Sequence, residues 1–177
     1  MAEIKRTGFG QIEPNHLSAQ RTAQIYAQLP AAASIAILEN GQFAKYDYLK
    51  GEVNFTGAGE WMLVYNEVKL YDEAWRETYK DFALKKTNYT EGVMTPRVFK
   101  TNVGDIFTTN CVGAANTAGD AVTAAVTINE GDLMKPDAAT GYLVTGADAA
   151  TDGMVWQVVK ITTMPDGQPA VKLMRIK

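Results

Sequence analysis

Met154-Val-Trp-Gln-Val-Val-Lys-Ile161, then Pro165-Asp-Gly-Gln168, then Ala170-Val-Lys-Leu-Met-Arg-Ile176 reads as strand, turn, strand. Valine, isoleucine and tryptophan suit a pleated, half-buried surface. Proline presets φ for the turn, and glycine accepts the positive φ that other residues avoid. A hairpin therefore closes this part of the chain.

Working outward, Val122, Ala124, Val126 and Ile128 alternate with Thr123, Ala125 and Thr127, the period of another strand. Further upstream, Ser34-Ile-Ala-Ile-Leu-Glu39 and Gln42-Phe-Ala-Lys-Tyr-Asp-Tyr48 flank Asn40-Gly41. Asn-Gly between two strand-like runs signals a type I′ hairpin, because both central residues need positive φ. Ala44, Tyr46 and Tyr48 would share one face of the second strand, with Phe43, Lys45 and Asp47 on the other. Gly51–Phe55, Trp61–Tyr65, Val98 and Ile106–Cys111 continue the strand pattern, and Thr56-Gly-Ala-Gly59 supplies a turn. The period changes at Tyr71, Trp75, Tyr79 and Phe82, whose spacing predicts one amphipathic helix with an aromatic face. The expected fold is mainly β, α+β in part, with small barrel or sandwich domains, that helix and an N-terminal arm.

Val103-Gly-Asp-Ile-Phe107 echoes Glu130-Gly-Asp-Leu-Met134. Glycine takes a turn and Asp bonds local backbone before a strand begins. Two copies fall short of a repeat architecture, and shared turn chemistry accounts for the echo.

Composition divides the 177 residues into an arm (1–30), an aromatic-rich β domain with one helix (31–112) and an Ala/Thr/Gly-rich β domain (113–177). In the arm, Ser18 would cap a helix reaching about Leu29, stopped by Pro30. Its Ala19/Ala23/Ala27 and Gln20/Gln24/Gln28 stripes leave a thin apolar face. Such a segment either orders against a partner subunit or packs on its own domain. On the first reading, partner contacts fall to Phe9, Pro14, His16, Leu17, Ile25 and Tyr26.

The apolar share is 46%, the charged share 21% and the net charge −3, so no basic field exists to attract nucleic acid. The longest apolar stretches, such as Ala31–Leu38, are too short to span a bilayer, and no signal peptide is expected. Cys111 is the sole cysteine and His16 the sole histidine. Ser-His-Asp and Cys-His arrangements, disulfides and cysteine-based metal sites have nothing to draw on. Neither a phosphate-cradling loop nor a dinucleotide fingerprint occurs. Asp148, Asp152 and Asp166 lack the dense spacing of a calcium loop. No cofactor and no metal are expected.

Two carboxylates alone can hydrolyse a glycoside, and Glu60, Glu67, Asp72, Glu73, Glu77 and Asp81 lie near Trp61 and Trp75. Acids alternating with Lys and Arg along a helix normally form a solvated face instead. A binding module for a host-surface glycan, built on Trp61 and Trp75, is the other rival. The main expectation is a protein that works by contact. Tyr46, Tyr48, Tyr65 and Tyr71 suit interfaces because tyrosine joins a large apolar body to a polar tip.

Three stretches carry a resemblance: Gly8-Phe-Gly-Gln-Ile-Glu-Pro-Asn-His-Leu-Ser-Ala-Gln through Leu29-Pro30; Glu60-Trp-Met-Leu-Val-Tyr-Asn-Glu-Val-Lys-Leu-Tyr-Asp-Glu73; and Val155-Trp-Gln-Val-Val-Lys160 with Met164-Pro-Asp-Gly-Gln-Pro-Ala-Val-Lys172. They resemble accessory virion structural proteins of short-tailed bacteriophages, of the head-fibre or capsid-decoration type. The resemblance implies a location in the virion, capsid protein subunits as partners, and a homo-oligomer such as a trimer. It transfers no binding residue position by position.

Overall fold

The computed structural model describes residues 1–6, 8–15, 24–66, 83–88, 93–113 and 125–177. These fold mainly as antiparallel β-structure. In chain order the strands are β1 (Ala2–Ile4), β2 (Ile12–Glu13), β3 (Ile25–Tyr26), β4 (Ile37–Glu39), β5 (Phe43–Asp47), β6 (Glu52–Asn54), β7 (Met62–Val64) and β8 (Ala83–Lys85). They continue with β9 (Val98–Phe99), β10 (Ile106–Thr109), β11 (Val126–Ile128), β12 (Leu133–Pro136), β13 (Leu143–Thr145), β14 (Trp156–Thr163) and β15 (Pro169–Arg175).

One sheet runs β13-β12-β14-β15-β10-β2 and another β3-β9-β7-β5-β6, with two-stranded pairs β1-β11 and β4-β8. The C-terminal hairpin forms as expected: Trp156↔Arg175 through Thr163↔Pro169 pair across it, with Gly167 at φ 85° in the turn. A bulge between Val158 and Lys160 interrupts the register. The larger sheet takes strands from all three composition segments, so strand pairing does not follow the boundaries at 30/31 and 112/113.

Two expectations need correction. Asn40-Gly41 turns the chain, with Gly41 at φ 94°, but β4 and β5 do not pair with each other. The reason is tertiary. Gly41 N–H donates to Val64 O (3.0 Å), and Val64 N–H donates to Gln42 O (2.7 Å). The turn is buried against β10, where a Cβ on Gly41 would sit 2.6 Å from Thr109 Oγ1. It carries the chain between sheets, while the true hairpin is β5–β6, through Tyr48–Gly51.

The second concerns the helix from Ser18 to Leu29. Residues 16–23 lie outside the described set, but Ile25 and Tyr26 form strand β3, paired Ile25↔Phe99 and Tyr26↔Val98. A β-branched and an aromatic residue fit a sheet edge, which supplies backbone partners that a thin helical face could not match. The expected helix over Tyr71–Phe82 lies outside the described residues.

The Gly-Asp echo goes further than turn chemistry. Asn102 N–H donates to Asp105 Oδ2 (2.7 Å), and Asn129 N–H donates to Asp132 Oδ2 (2.8 Å). Gly104 and Gly131 share φ near 90° (93° and 91°). Each turn docks on the hairpin alike: Gly104 N–H to Arg175 O (2.8 Å) and Arg175 N–H to Asp105 O (2.9 Å), against Gly131 N–H to Val158 O (2.7 Å) and Val158 N–H to Asp132 O (2.9 Å). The registers repeat outward. Met134↔Trp156 matches Phe107↔Leu173, and Pro136↔Leu143 matches Thr109↔Ile12. The large sheet thus has a two-fold pattern of pairing about Gln157↔Met174, in which β12 answers to β10, β14 to β15 and β13 to β2.

Alternation along β5, β7 and β9 divides two cores. Phe43, Leu63 and Phe99 pack with Phe107, Met134, Trp156, Val171 and Leu173 of the large sheet. Ala44, Tyr46, Met62, Val64 and Val98 pack on the opposite side with Ile35, Leu38, Leu84 and Met94. The expected division of faces along β5 is therefore present. Phe43, Phe107 and Trp156 meet with centroids 4.8–6.4 Å apart.

Candidate functional site

Two groups of side chains stand out, one sealed and one exposed. The sealed group centres on Glu39, fully buried at the end of β4. Arg6, also buried, brings Nη2 within 2.8 Å of Glu39 Oε2. That contact is electrostatic, since Nη2 makes no aligned hydrogen bond. The Tyr142 hydroxyl donates to the same oxygen (2.8 Å), and Cys111 Sγ lies 3.7 Å from it. Arg6 also stands over the Tyr142 ring, 5.6 Å from its centroid. Gly10 and Gly41 make room: a Cβ on either would meet Cys111 at 2.6–2.7 Å.

Burial pushes the Cys111 thiol up to about 12, against a smaller opposing pull from Arg6. Burial likewise raises the Tyr142 phenol. The Arg6 guanidinium is disfavoured by burial, but Cys111, Glu39 and Tyr142 outweigh that and hold it firmly protonated. A thiol this protonated is a poor nucleophile, and no member of the group faces solvent. Arg6 Nη1 and Glu39 Oε1 are buried without a hydrogen-bond partner among the described residues. The arrangement is an internal strut.

Among the described residues, the acids singled out for chemistry are each held in ordinary surface or turn pairings. Of the glycosidase set only Glu60 lies in the described residues, where it pairs with Lys100 at the surface (2.9 Å). Trp61 has a ring face occupied by Lys45 Nζ, 4.6 Å from the centroid. Trp75 lies outside the described residues. Asp152 is held by Lys135 (3.0 Å), Asp148 accepts from its own turn, and Asp166 accepts from Gln11 and Gln168. Among the described residues, no three potential ligands gather in metal-binding geometry, and no helix is long and apolar enough to cross a membrane.

The exposed group lies on the five-stranded sheet. Tyr26 and Tyr46 meet edge-to-face at 5.1 Å, and Tyr46 and Tyr48 at 5.6 Å. The three rings form a ladder from β3 to the β5–β6 loop. Tyr46 is buried at its foot, and its oxygen accepts from Gln28 N–H (3.1 Å). Tyr48 is 71% exposed and Leu49 fully exposed. Lys100 closes one side, bonded to Glu60 and to Tyr26, which together raise its pKa. Asp47 braces the loop by accepting from Lys50 N–H (3.1 Å) and Asn54 Nδ2 (3.2 Å). An apolar tip on such a braced base suits insertion into a partner surface, because little side-chain freedom remains to be lost.

Of the expected contact residues, Tyr26 belongs to this ladder, and Ile25, partly exposed, precedes it in β3. Phe9 lies elsewhere, beneath Lys85 Nζ at 4.3 Å, and Pro14 is half-buried just after β2. His16 and Leu17 lie outside the described residues. Of the tyrosines expected to suit interfaces, Tyr48 is exposed, Tyr46 is buried, Tyr65 packs on Phe99 and Tyr71 lies outside the described residues; Leu49, exposed beside Tyr48, was not among the expected contact residues. Its signal in the sequence is a large apolar residue in the short loop Tyr48-Leu-Lys-Gly51.

Comparison with known proteins adds nothing to this picture: a scan of protein families, a search of curated proteins and a search of solved structures each found no match. The class defined by fold and site is a mainly β protein with an exposed tyrosine ladder and a sealed ionic strut.

Proposed function

We propose that the chain is a non-catalytic structural protein of a virion, of the head-fibre or capsid-decoration type, that binds capsid subunits as a homo-oligomer. The observation that carries the contact-based part of this reading is the Tyr48–Leu49 tip, exposed on a braced tyrosine ladder, while Glu39, Cys111 and Tyr142 are sealed inside. The virion part rests on the resemblance of the three stretches described above.

Removing residues 1–30 cannot test this proposal, since it would strip β1, β2 and β3 from their sheets. The test is co-sedimentation of the labelled chain with capsids of the virus that encodes it, using wild type and a Tyr48→Ala/Leu49→Ser variant. Saturable binding by the wild type, weakened at least tenfold in the variant, is expected. Failure of the wild type to bind capsids, or turnover of a glycoside by the pure chain, would overturn the proposal.

A further inference from the structure

The two halves of the large sheet differ in how their outer strands arrive. β13 reaches β12 through a short local turn, in which Gly141 N–H donates to Asp137 O (2.8 Å). Its counterpart β2 pairs with β10, more than ninety residues away in sequence. One half carries its own outer strand; the other has a slot filled by the N-terminal segment.

The described residues between 2 and 13 are held chiefly by distant parts of the chain. Ala2, Glu3 and Ile4 pair with β11. Gln11 N–H donates to Asn110 Oδ1 (2.7 Å), Gln11 Nε2 donates to Asp166 (2.8 Å), and Thr109 Oγ1 donates to Gln11 O (2.5 Å). Ile4 and Ile12 enter the core, and Arg6 supplies the cation opposite Glu39. Every one of these contacts would form equally well if the segment came from another molecule. Strand exchange between identical copies costs little for that reason.

We propose that residues 2–13 are an exchangeable donor segment, and that in the assembled protein a second copy of this chain supplies it. Arg6 of one copy then neutralises Glu39 of the next. The slot is selective for this segment. An empty slot leaves Glu39 buried without its cation and the β10 edge unpaired, both unfavourable. Strand addition provides backbone bonds, while Ile4, Arg6 and Ile12 provide side-chain recognition. The inference extends the homo-oligomer of the proposed function but does not need the virion setting. Its failure would leave capsid binding intact, and the reverse holds too.

Glu3 and Thr127 are register partners across β1 and β11, within disulfide reach when both are cysteine. Full-length chains carrying Glu3→Cys and Thr127→Cys are co-expressed, oxidised and run on a non-reducing gel. A disulfide-linked dimer containing one of each variant is expected. Its absence would overturn the proposal, whether or not the double variant closes an internal bond. A second test needs no cysteines. Arg6→Glu and Glu39→Arg each place like charges together in a self-filled slot. Exchanged between the two variants, their segments restore both ion pairs. Co-expression should rescue folded heterodimer in at least tenfold greater yield than either variant alone. If instead the Arg6→Glu/Glu39→Arg double variant folds as a monomer while the mixture stays insoluble, the segment is supplied within the chain.

Discussion

The strut around Glu39 and the ladder around Tyr48 use similar side chains to opposite ends. In the strut a tyrosine hydroxyl donates to one oxygen of a fully buried carboxylate. In the ladder a tyrosine lies on top of others with most of its surface in water. Burial decides what each group contributes. A charge without solvent must be matched inside the molecule, whereas an exposed ring adds little to folding and is free to meet something else. The difference separates stability from association, and substitutions should divide along the same line.

The largest effect belongs to Glu39→Ala. It leaves the Arg6 guanidinium buried without an anion, a change that costs about 3–5 kcal/mol when one partner of a buried pair is removed. Urea denaturation should show that loss. Replacing the whole polar set, Arg6→Met/Glu39→Leu/Tyr142→Phe, should destabilise less than Glu39→Ala alone, because no charge is left stranded. A triple variant weaker than the single would show that the strut contributes more than its own neutrality.

Gly41→Ala comes next. Gly41 sits at φ 94°, and a Cβ would press on Thr109 and Cys111 beside the strut. Left-handed strain and overpacking together amount to about 2–4 kcal/mol, read as a lower denaturation midpoint. Gly51, at φ 67° in the ladder's loop, has open space around its Cβ position. Gly51→Ala should therefore cost only the backbone strain, about 1–2 kcal/mol.

Within the strut, Cys111 carries a pH signature set by its burial. The Cys111 thiol is raised from 9.0 to about 12 by burial. The folded state thus holds its proton where the unfolded chain releases it. Stability from this group is intact below about pH 9 and falls as pH rises toward 12, by up to about 1.4 kcal/mol per unit. Cys111→Ala should flatten that part of the stability–pH curve, and in the native wild type a thiol reagent at pH 8 should leave Cys111 unmodified.

Local and tertiary information explain what could be read in the residues beforehand. The β14–β15 hairpin was legible because its alternation and its Pro165-Asp-Gly-Gln168 turn act over neighbouring residues. Asn40-Gly41 announced a turn correctly, yet its strands went to different sheets because Val64, from β7, took the turn's backbone groups. Ile25–Tyr26 looked helical by alanine spacing and became a strand because β9 offered an edge. The strut had no sequence signal beyond Glu39 closing the apolar run Ile35–Leu38, since Arg6, Cys111 and Tyr142 come from three distant places. The paired turns were visible as Gly-Asp echoes, but their common docking on one hairpin depends on long-range pairing. Asp105→Ala and Asp132→Ala test that likeness. Each removes the acceptor for one Asn backbone N–H, and each should cost about 1 kcal/mol, near-equal and additive.

The smallest stability effect belongs to the tip of the ladder. Leu49 touches nothing that its removal would empty, and Tyr48 gives up one edge-to-face contact with Tyr46. Tyr48→Ala/Leu49→Ser should therefore shift folding stability by no more than about 0.5–1 kcal/mol. Tyr46→Ala, one rung down, empties a buried site, removes the acceptor for Gln28 N–H and should cost about 3–5 kcal/mol. Thermal melts of the two variants, read beside capsid co-sedimentation, set folding against binding. A tip variant that melts like wild type but no longer binds places the interface at Tyr48 and Leu49, because a destabilised fold would lose both properties together. A tip variant that binds normally moves the interface off the ladder, whatever its melt.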